Sequence, residues 1–304
     1  MSTLSEISKI VKSQAVQFGF DACGIARADY LGNRKNVLKS WLDKGYNASM
    51  NYMENHFEKR LNPQLLVESA KSVICVLTSY NSDARQSAAA PKIARYALGF
   101  DYHVIIRKKL NDFFVSLKKT FPQINGRGFV DSAPILEREW AVRAGLGWYG
   151  KSAAFISPVF GSFVFLSELI VDIEMEYDKP LKGNFCGACN KCIAGCPNSA
   201  ITEPYVVNSQ KCIAYQTIEN RNEINIPSHG WLFGCDICLQ VCPYNKCAKI
   251  CNHEEFQPVA ETLDMSFDDW ENIGEDDFKK IFAKSPLMRA GYEKIKQNIK
   301  NIKR

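Results

Sequence analysis

Cysteines are concentrated in the middle of the chain at spacings that suit iron–sulfur chemistry. Eight of the twelve cysteines lie between positions 186 and 242. The first run, from Cys186 to Pro197, reads Cys-x2-Cys-x2-Cys-x3-Cys-Pro, which is the bacterial ferredoxin pattern for binding [4Fe–4S] clusters through thiolates. A second run, from Cys235 to Pro243, reads Cys-x2-Cys-x3-Cys-Pro. The two runs therefore predict two [4Fe–4S] clusters, and the chemistry of such clusters is the transfer of single electrons.

The spacing also indicates which thiolates share a cluster. Three cysteines two residues apart can wrap one iron–sulfur cube, while the fourth, placed before proline, reaches the other cube. The first cluster is therefore predicted to take four ligands, Cys186, Cys189, Cys192 and Cys242. The second cluster takes three by the same rule, Cys196, Cys235 and Cys238. It still lacks a ligand, and Cys212 is the one remaining cysteine inside the span.

Zinc binding and disulfide formation are the other common uses of closely spaced cysteines. Zinc ribbons also contain cysteines two residues apart, but three such cysteines in a row followed by Cys-Pro favour iron–sulfur clusters. A disulfide framework is disfavoured, because the chain is 304 residues long and carries no export signal. We therefore expect a reducing, cytoplasmic compartment. Cys247 and Cys251, beyond the two runs, are predicted to be spare thiols, with a minor metal site as the alternative.

The composition is that of a soluble globular protein, with 46% hydrophobic and 23% charged residues. No window of eighteen apolar residues exists, so no membrane span is predicted. The formal net charge of +5 is unevenly spread, because nine Lys or Arg residues lie between 279 and 304 against the single Glu293. This basic tail either meets an acidic partner such as RNA or forms a solvated, lysine-rich final helix.

Hydrophobic periodicity predicts the elements that must position these groups. Two buried strands and two long helices are expected at 73–77, 162–171, 4–18 and 104–117. Glycines at 126–128 indicate a turn. A further helix is predicted to begin at Ser132 with Pro134 and to end at Gly145. Two or three helices are expected over 266–304.

The front part of the chain is too large for a simple electron carrier. Two clusters need only about 60 residues, yet roughly 180 precede the first run, which argues for a second cofactor or a substrate site. Four glycines between 145 and 161 let the backbone approach another group closely, or make tight turns.

Four further segments of the chain resemble a known family. They read Asp-Ser-Ala-Pro-x-Leu-Glu-Arg, Ala-Gly-Leu-Gly-Trp-x-Gly-Lys, Gly-Ser-Phe-x-Phe-Leu-x-Glu-Leu and Cys-Ile-Ala-Tyr-x-Thr-Ile-Glu, at 131–138, 144–151, 161–169 and 212–219. With the cysteine pattern, they resemble epoxyqueuosine reductases from near the N-terminus to about Arg289. The resemblance implies an α+β chain in three parts. These are a nitroreductase-like, cobalamin-binding α/β domain, a ferredoxin-like double [4Fe–4S] domain and a helical, basic C-terminal segment, at 1–180, 181–255 and 256–304.

The resemblance also implies a reaction. Family members use cobalamin and two [4Fe–4S] clusters to remove the epoxide oxygen of epoxyqueuosine at the wobble position of tRNA, which gives queuosine. Cys212 takes the vacant ligand position of the second cluster. Asp131 matches the proton donor. For that role its pKa must be raised by burial against the corrin and the substrate, although a helix start would favour the carboxylate.

Six residues besides Asp131 are expected at the cobalamin, Arg60, Lys151, Ser152, Ser162, Tyr215 and Asp236. Arg60 would contact corrin amides or a phosphate, with a surface salt bridge as the alternative. Lys151, Ser152 and Ser162 would act through backbone groups of the glycine-rich segment. Tyr215 and Asp236 flank cluster ligands and would face the corrin edge. Ala214 replaces a serine found in many relatives, and the chain resembles the short form that lacks a C-terminal helical repeat domain.

The implied partners are tRNA and an electron donor of the flavodoxin or ferredoxin type, with the protein a cytoplasmic monomer away from membranes. Two other readings remain open. A reductive dehalogenase also combines cobalamin with iron–sulfur clusters, but it is expected to carry an export signal and an acid–base tyrosine in place of the Asp131 segment. An electron-transfer module that docks on a larger reductase would bind no corrin, so a corrin absorption band separates it from the reductase.

Overall fold

The computed structural model describes residues 3–303. Its strands are β1 (Ala22–Arg27), β2 (Ser72–Ser79), β3 (Lys92–Ile93), β4 (Gly126–Phe129), β5 (Trp148–Tyr149), β6 (Phe155–Ile156), β7 (Val164–Val171), β8 (Ile201–Glu203), β9 (Val206–Val207) and β10 (Trp231–Phe233). Its α-helices are α1 (Leu4–Gln17), α2 (Gly32–Asp43), α3 (Phe57–Leu61), α4 (Tyr102–Thr120), α5 (Glu137–Arg143), α6 (Lys191–Ala194), α7 (Ile213–Ile218), α8 (Ile237–Gln240), α9 (Pro243–Lys246), α10 (Ala260–Asp264), α11 (Phe267–Asn272), α12 (Glu275–Ile281) and α13 (Tyr292–Lys303).

A four-stranded antiparallel sheet forms the centre of the front part. Its strand order is β1-β2-β7-β4. All eight residues of β2 are buried, which is why this strand is a continuous apolar run and not an alternating one. The predicted strands at 73–77 and 162–171 are confirmed by β2 and β7.

Helices α1 and α4 pack on one face of this sheet. Val11 of α1 and Phe113 of α4 are fully buried in the same hydrophobic cluster as Ile74 of β2. Both helices begin at a capping side chain: Thr3 forms a capping box with Glu6, and the Asp101 carboxylate caps α4. The two predicted long helices are therefore confirmed, and α4 carries its first turn to the edge of the sheet.

Two local predictions are wrong. Residues 126–128 belong to strand β4, which pairs with β7. Gly128 is needed there for packing and not for a turn, because a side chain at this position would lie 2.7 Å from Leu110 of α4. The helix expected from Ser132 begins only at Glu137. Residues 131–136 form a loop instead, in which Asp131 has a positive φ of 51° and Pro134 disfavours helical backbone before it. The predicted helix end is confirmed, since Gly145 has a φ of 72°.

The three parts expected from the sequence pack directly against one another. Strand β10, from the cysteine-rich part, pairs in parallel with β3 of the front part. Phe233 of β10, Ile93 of β3 and Trp270 of α11 share one buried cluster with α13. The C-terminal helices thus cover the junction between the other two parts. Among residues 3–303, no helix is long and apolar enough to cross a membrane.

The final helix is not the solvated helix considered from charge. Ile295 and Ile299 are fully buried. The buried Asn298 amide donates to the carbonyl oxygens of Thr217 and Leu232, both at 2.8 Å. Deleting residues 290–304 would remove these core contacts, so such a deletion cannot isolate a contact with RNA from a loss of folding.

Candidate active site and cluster ligands

Four of the eight cysteines between 186 and 242 lie at or just inside the beginnings of short helices. Cys212 and Cys242 directly precede α7 and α9, and the nearby backbone N–H groups in the first turns of those helices partly offset the burial that raises the pKa of the two thiols. Cys192 and Cys238 lie inside α6 and α8, which pack against each other. Hydrogen bonds from backbone N–H groups stabilise thiolate charge and are one of the ways a protein tunes an iron–sulfur cluster.

The thiols fall into two groups by proximity. Burial is the largest cause of the raised pKa of Cys242, and the neighbouring thiols Cys186 and Cys189 raise it further. Burial also raises the pKa of Cys192, and Cys186 and Cys242 add to that rise. In the same way Cys235, Cys212 and Cys196 raise the pKa of Cys238. The structure thus brings together the two predicted sets, Cys186, Cys189, Cys192 and Cys242 in one and Cys196, Cys212, Cys235 and Cys238 in the other.

The donor chemistry of both sets fits iron–sulfur clusters. All eight cysteines are free thiols of intermediate exposure, so each can reach a buried cofactor. Several thiolates buried side by side repel one another, and bound metal ions reverse this cost by holding coordinated thiols deprotonated. Within residues 3–303, no three His, Cys, Asp or Glu side chains form a ready-made single-ion site.

Asp131 lies where four elements meet. Its Oδ2 accepts a hydrogen bond of 2.8 Å from the Tyr102 hydroxyl and lies 3.0 Å from Nε2 of His103, both in α4. The same oxygen is 3.5 Å from Nη1 of Arg289. Its backbone N–H donates to Oε1 of Glu137, the first residue of α5, at 2.7 Å. This last bond fixes the loop and explains why α5 starts late.

His103 links Asp131 to a second carboxylate. Its Nδ1 lies 2.7 Å from Oδ1 of Asp101, so both ring nitrogens face carboxylates. Burial opposes charge on the ring, but the hydrogen bonds to Asp101 and Asp131 outweigh it and raise the pKa of His103 to about 9. The imidazolium therefore holds a proton next to Asp131 at neutral pH.

The electrostatics at Asp131 differ from the expectation. Burial raises the pKa of Asp131, but hydrogen bonds from His103 and Tyr102 and the charge of Arg289 outweigh it, so the pKa lies below its ordinary value. The sequence did not reveal these partners, and the rise expected from burial against the corrin and the substrate stays a prediction. Burial and the charge of Asp131 raise the pKa of Glu137 to about 8. The fully buried Glu168 also has a pKa well above its usual range, through burial first and Glu137 second.

Arg60 is buried, so the alternative of a surface salt bridge is wrong. Its guanidinium donates to the backbone carbonyl of Tyr52, and burial lowers its pKa. Its Nε is buried and has no hydrogen-bond partner among residues 3–303. A buried donor without a partner is costly, and the amide carbonyls around a corrin ring are acceptors that can satisfy it. The charges of Asp131 and Arg60 both act on the pKa of Tyr52. Arg60 therefore lies near Asp131 and the residues that contact it, which together form the candidate reaction centre.

The other expected cobalamin contacts are held by specific bonds. The Lys151 ammonium bonds to the Gly187 carbonyl at 2.8 Å and to Oδ1 of Asn190 at 2.9 Å, so this side chain ties the glycine-rich segment to the first cysteine loop. Ser152 caps its own turn through Oγ. The Ser162 N–H donates to Oδ1 of Asn245.

Tyr215 and Asp236 lie in the wall next to the second thiol set. The Tyr215 hydroxyl is 2.7 Å from Oγ of Ser49. The buried Asp236 carboxylate accepts from the Arg95 N–H at 2.6 Å, and burial raises its pKa to about 6. Burial first, and the charges of Asp131 and Asp236 among other causes, raise the pKa of Tyr96, so this ring lies near both carboxylates.

The glycines of the glycine-rich segment serve packing within the protein. A side chain at Gly147 would lie 2.1 Å from the Ile156 carbonyl, and one at Gly161 would lie 2.1 Å from Oδ1 of Asn245. Two of the cavities in the described part of the chain can be compared with the predicted site. The larger, about 440 Å³, is lined by none of the predicted site residues, whereas the smaller, about 270 Å³, borders Asp236.

Five residues of the reaction centre were not predicted, Asp101, Tyr102, His103, Glu137 and Arg289. The first three are consecutive at the start of α4, and a capping Asp followed by Tyr and His was the available signal. Glu137 lay inside a recognised motif without a role. Arg289 was seen only as part of the basic tail, since its contact with Asp131 spans the whole cysteine-rich part.

Comparisons with known proteins agree with this arrangement. A family model described as epoxyqueuosine reductase QueG, DUF1730, matches residues 60–132. One described as a 4Fe-4S double cluster binding domain matches residues 185–245, which rules against zinc. An epoxyqueuosine reductase from Cellulophaga algicola is 43% identical over 307 residues, covering 100% of both chains.

Solved structures agree as well. A crystal structure of epoxyqueuosine reductase with an epoxyqueuosine-modified tRNA-Tyr stem loop matches with a TM-score of 0.89 and 29% identity, covering 99% of this chain and 81% of that chain. A catabolic reductive dehalogenase matches with a TM-score of 0.53 and 14% identity, covering 99% of this chain and 38% of that one, which shows a shared fold alone. The predicted α+β fold is confirmed, and the chain belongs to the epoxyqueuosine reductase family.

Proposed function

We propose that this protein reduces the epoxide of epoxyqueuosine to the alkene of queuosine in tRNA. The reaction breaks both epoxide C–O bonds, consumes two electrons and two protons, and releases the oxygen as water. The observation that carries the proposal is the Asp131 carboxylate, which lies against the protonated His103 in a chain that also brings eight thiols together. Family membership over the full chain and the RNA-bound relative support the same substrate.

The eight cysteines would hold the two clusters in the sets described above, with Cys212 completing the second. When bound, cobalamin supplies a cobalt centre that can store two electrons, a capacity that amino-acid side chains lack. The unpaired Nε of Arg60 supports its role as a contact to that cofactor. Lys151, Ser152, Ser162, Tyr215 and Asp236 remain predicted contacts, and their fixed positions are suited to a rigid cradle.

The proton inventory assigns roles to the residues around Asp131. His103 would pass its proton to Asp131 across their 3.0 Å contact, and Asp131 would deliver that proton to the departing oxygen. Asp101 orients the ring and stabilises its charge. Because the proton is stored on His103, Asp131 does not need a raised pKa before the substrate binds.

Further proposals concern the domain boundaries, the electron donor, the oligomeric state and the cellular compartment. We propose domain boundaries at 1–180, 181–255 and 256–304, a flavodoxin or ferredoxin as electron donor, and a monomer in the cytoplasm. The parallel pairing of β3 with β10 supports a cluster part fixed at one distance from the front part, as electron transfer between them requires.

The function is tested by anaerobic reconstitution with iron, sulfide and cobalamin, followed by nucleoside analysis of tRNA that carries epoxyqueuosine. The reconstituted protein is expected to hold about eight irons per chain, to show a corrin absorption band and to convert epoxyqueuosine to queuosine. A protein that binds its iron but no corrin, and leaves the nucleoside unchanged, would instead be an electron carrier.

The pH dependence of this assay tests His103. Because its pKa is raised to about 9, the proton is present below that pH and lost above it. The single-turnover rate is therefore expected to fall as pH rises through about 9. In His103→Gln the rate should be roughly tenfold lower or more at neutral pH, and that fall should disappear. The surface variant His229→Gln should keep the wild-type profile, and an unchanged profile in His103→Gln would rule out the proton store.

A further inference from the structure

Arg289 joins the reaction centre to the protein surface. It ends a short 3-10 helix, Pro286–Arg289, and its side chain is 47% exposed. One guanidinium nitrogen lies 3.5 Å from Oδ2 of Asp131, and another donates to Oε1 of Glu219 at 2.6 Å. Glu219 directly follows α7, the helix that Cys212 begins. One exposed cation thus contacts the proposed proton donor and the end of a helix that carries a cluster ligand.

A second arginine, Arg221, lies beside Arg289, and Lys294 lies near Arg221. The exposed Arg221 donates to the backbone carbonyls of Ala290 at 2.7 Å and Arg289 at 3.1 Å. Lys294, one turn into α13, is buried, and its pKa is lowered to about 8 by burial first and by the charge of Arg221 second. Positive charge is thus concentrated next to Arg289, and a bound anion offsets the cost of bringing Arg221 and Lys294 together.

We propose that Arg289 binds a backbone phosphate of the RNA substrate, and that this phosphate draws its guanidinium away from Asp131. The inference rests on the proposed function and deepens it, since it names the anchor that couples RNA binding to the acid. Arginine pairs with phosphate through two parallel hydrogen bonds. At 3.5 Å, its contact with Asp131 is the weaker of its two carboxylate contacts and the easier one to exchange.

Loss of the Arg289 charge changes Asp131 in one direction. Tyr102, His103, Glu137 and Arg289 contact Asp131 directly. The charge of Asp131 also acts on Tyr52, Tyr96 and Glu168. Two of these are cations, Arg289 and the protonated His103. Removing one of two cations favours the protonated acid. RNA binding and proton uptake at Asp131 are thereby linked, so that the acid is primed when substrate arrives.

Proton uptake on RNA binding tests this linkage without any turnover. Holoenzyme is titrated calorimetrically between pH 5 and 7 with an unmodified anticodon stem-loop, in two buffers of different ionisation enthalpy. Wild type should take up a fraction of a proton per RNA bound. Arg289→Gln should bind about 3- to 10-fold more weakly, lower the salt slope by about one and take up no proton. Asp131→Asn should bind normally without uptake.

The pH profile of turnover tests the exchange itself. The profile of kcat/KM reports groups in the free enzyme, and that of kcat reports groups in the complex. In Arg289→Gln, the Asp131 limb of kcat/KM should move to higher pH while that of kcat stays in place. Arg289→Lys should show a partial shift, because it keeps the charge but loses the bidentate geometry. The exposed α13 variant Lys300→Gln is the matched control and should move neither limb.

The outcomes separate the inference from the function on which it rests. Wild-type protein that binds no stem-loop and converts no epoxyqueuosine would overturn both. Wild-type protein that binds RNA, while Arg289→Gln retains affinity and proton uptake, would overturn the role of Arg289 alone. Limbs of kcat and kcat/KM that move together would show that Arg289 stays on Asp131 in the complex, which overturns the exchange.

Discussion

Asp131→Asn protein is expected to form queuosine about 100- to 10,000-fold more slowly than wild type. Asparagine keeps the size of the side chain and can still accept from Tyr102, but it cannot pass a proton to the departing oxygen. The measurement is single-turnover nucleoside analysis under anaerobic conditions. Iron content, corrin absorption and stem-loop affinity should match wild type, so that the loss is assigned to the chemical step.

Two companion variants sharpen this result. Asp101→Asn removes the carboxylate charge beside the His103 ring, while its side-chain oxygen can still cap α4, and it is expected to slow the reaction by a smaller factor. Asp112→Asn, a half-buried position on α4 away from this site, should have no effect. Glu137 is the competing acid, because its pKa of about 8 keeps it protonated at neutral pH. Full activity in Asp131→Asn combined with an inactive Glu137→Gln would transfer the donor role to Glu137.

Cys212→Ser protein is expected to lose one cluster and with it the reaction. Cys212 lies with Cys196, Cys235 and Cys238, and a serine hydroxyl is a poor substitute for a thiolate at iron. Iron content should fall from about eight to about four per chain. Queuosine formation should fall below detection, since electrons must cross both clusters, whereas the cluster of the first set should remain visible by electron paramagnetic resonance after reduction.

The matched control is Cys247→Ser. Cys247 is exposed and lies outside both thiol sets, so its substitution should leave iron content and turnover unchanged. Eight irons retained in Cys212→Ser would contradict the assignment. Iron lost in Cys247→Ser would show instead that this thiol is a ligand.

The sequence was informative where the determinants are local. Cysteine spacing within a few residues predicts the clusters because a cube is wrapped by a short loop. The apolar run from 73 to 77 predicts a strand because the centre of β2 is buried on both faces. The start of α5 was missed because the loop before it is held by a tertiary bond from the Asp131 N–H to Glu137. Propensity alone cannot report such a bond.

The contacts of the reaction centre were also missed, because they join residues that are far apart in the sequence. His103 and Asp131 are 28 residues apart, and Arg289 comes from beyond the cysteine-rich part. The pKa of Asp131 depends on these partners, so its sign was not readable from the residues around it. Similarly, the charge of the basic tail suggested a solvated helix, whereas Ile295 and Ile299 bury one side of it.

The parallel pairing of β3 with β10 bears on whether this redox unit can be exchanged between proteins. A free-standing ferredoxin can be fused to many partners, but here Trp231 and Phe233 pair with Lys92 and Ile93 of the front part. Cutting the chain at the start of the cysteine-rich part would leave two short unpaired edges and expose the buried Phe233, which invites self-association. The electron-supplying part is therefore integral to the fold of this protein and is not a module that can be transferred to another protein intact.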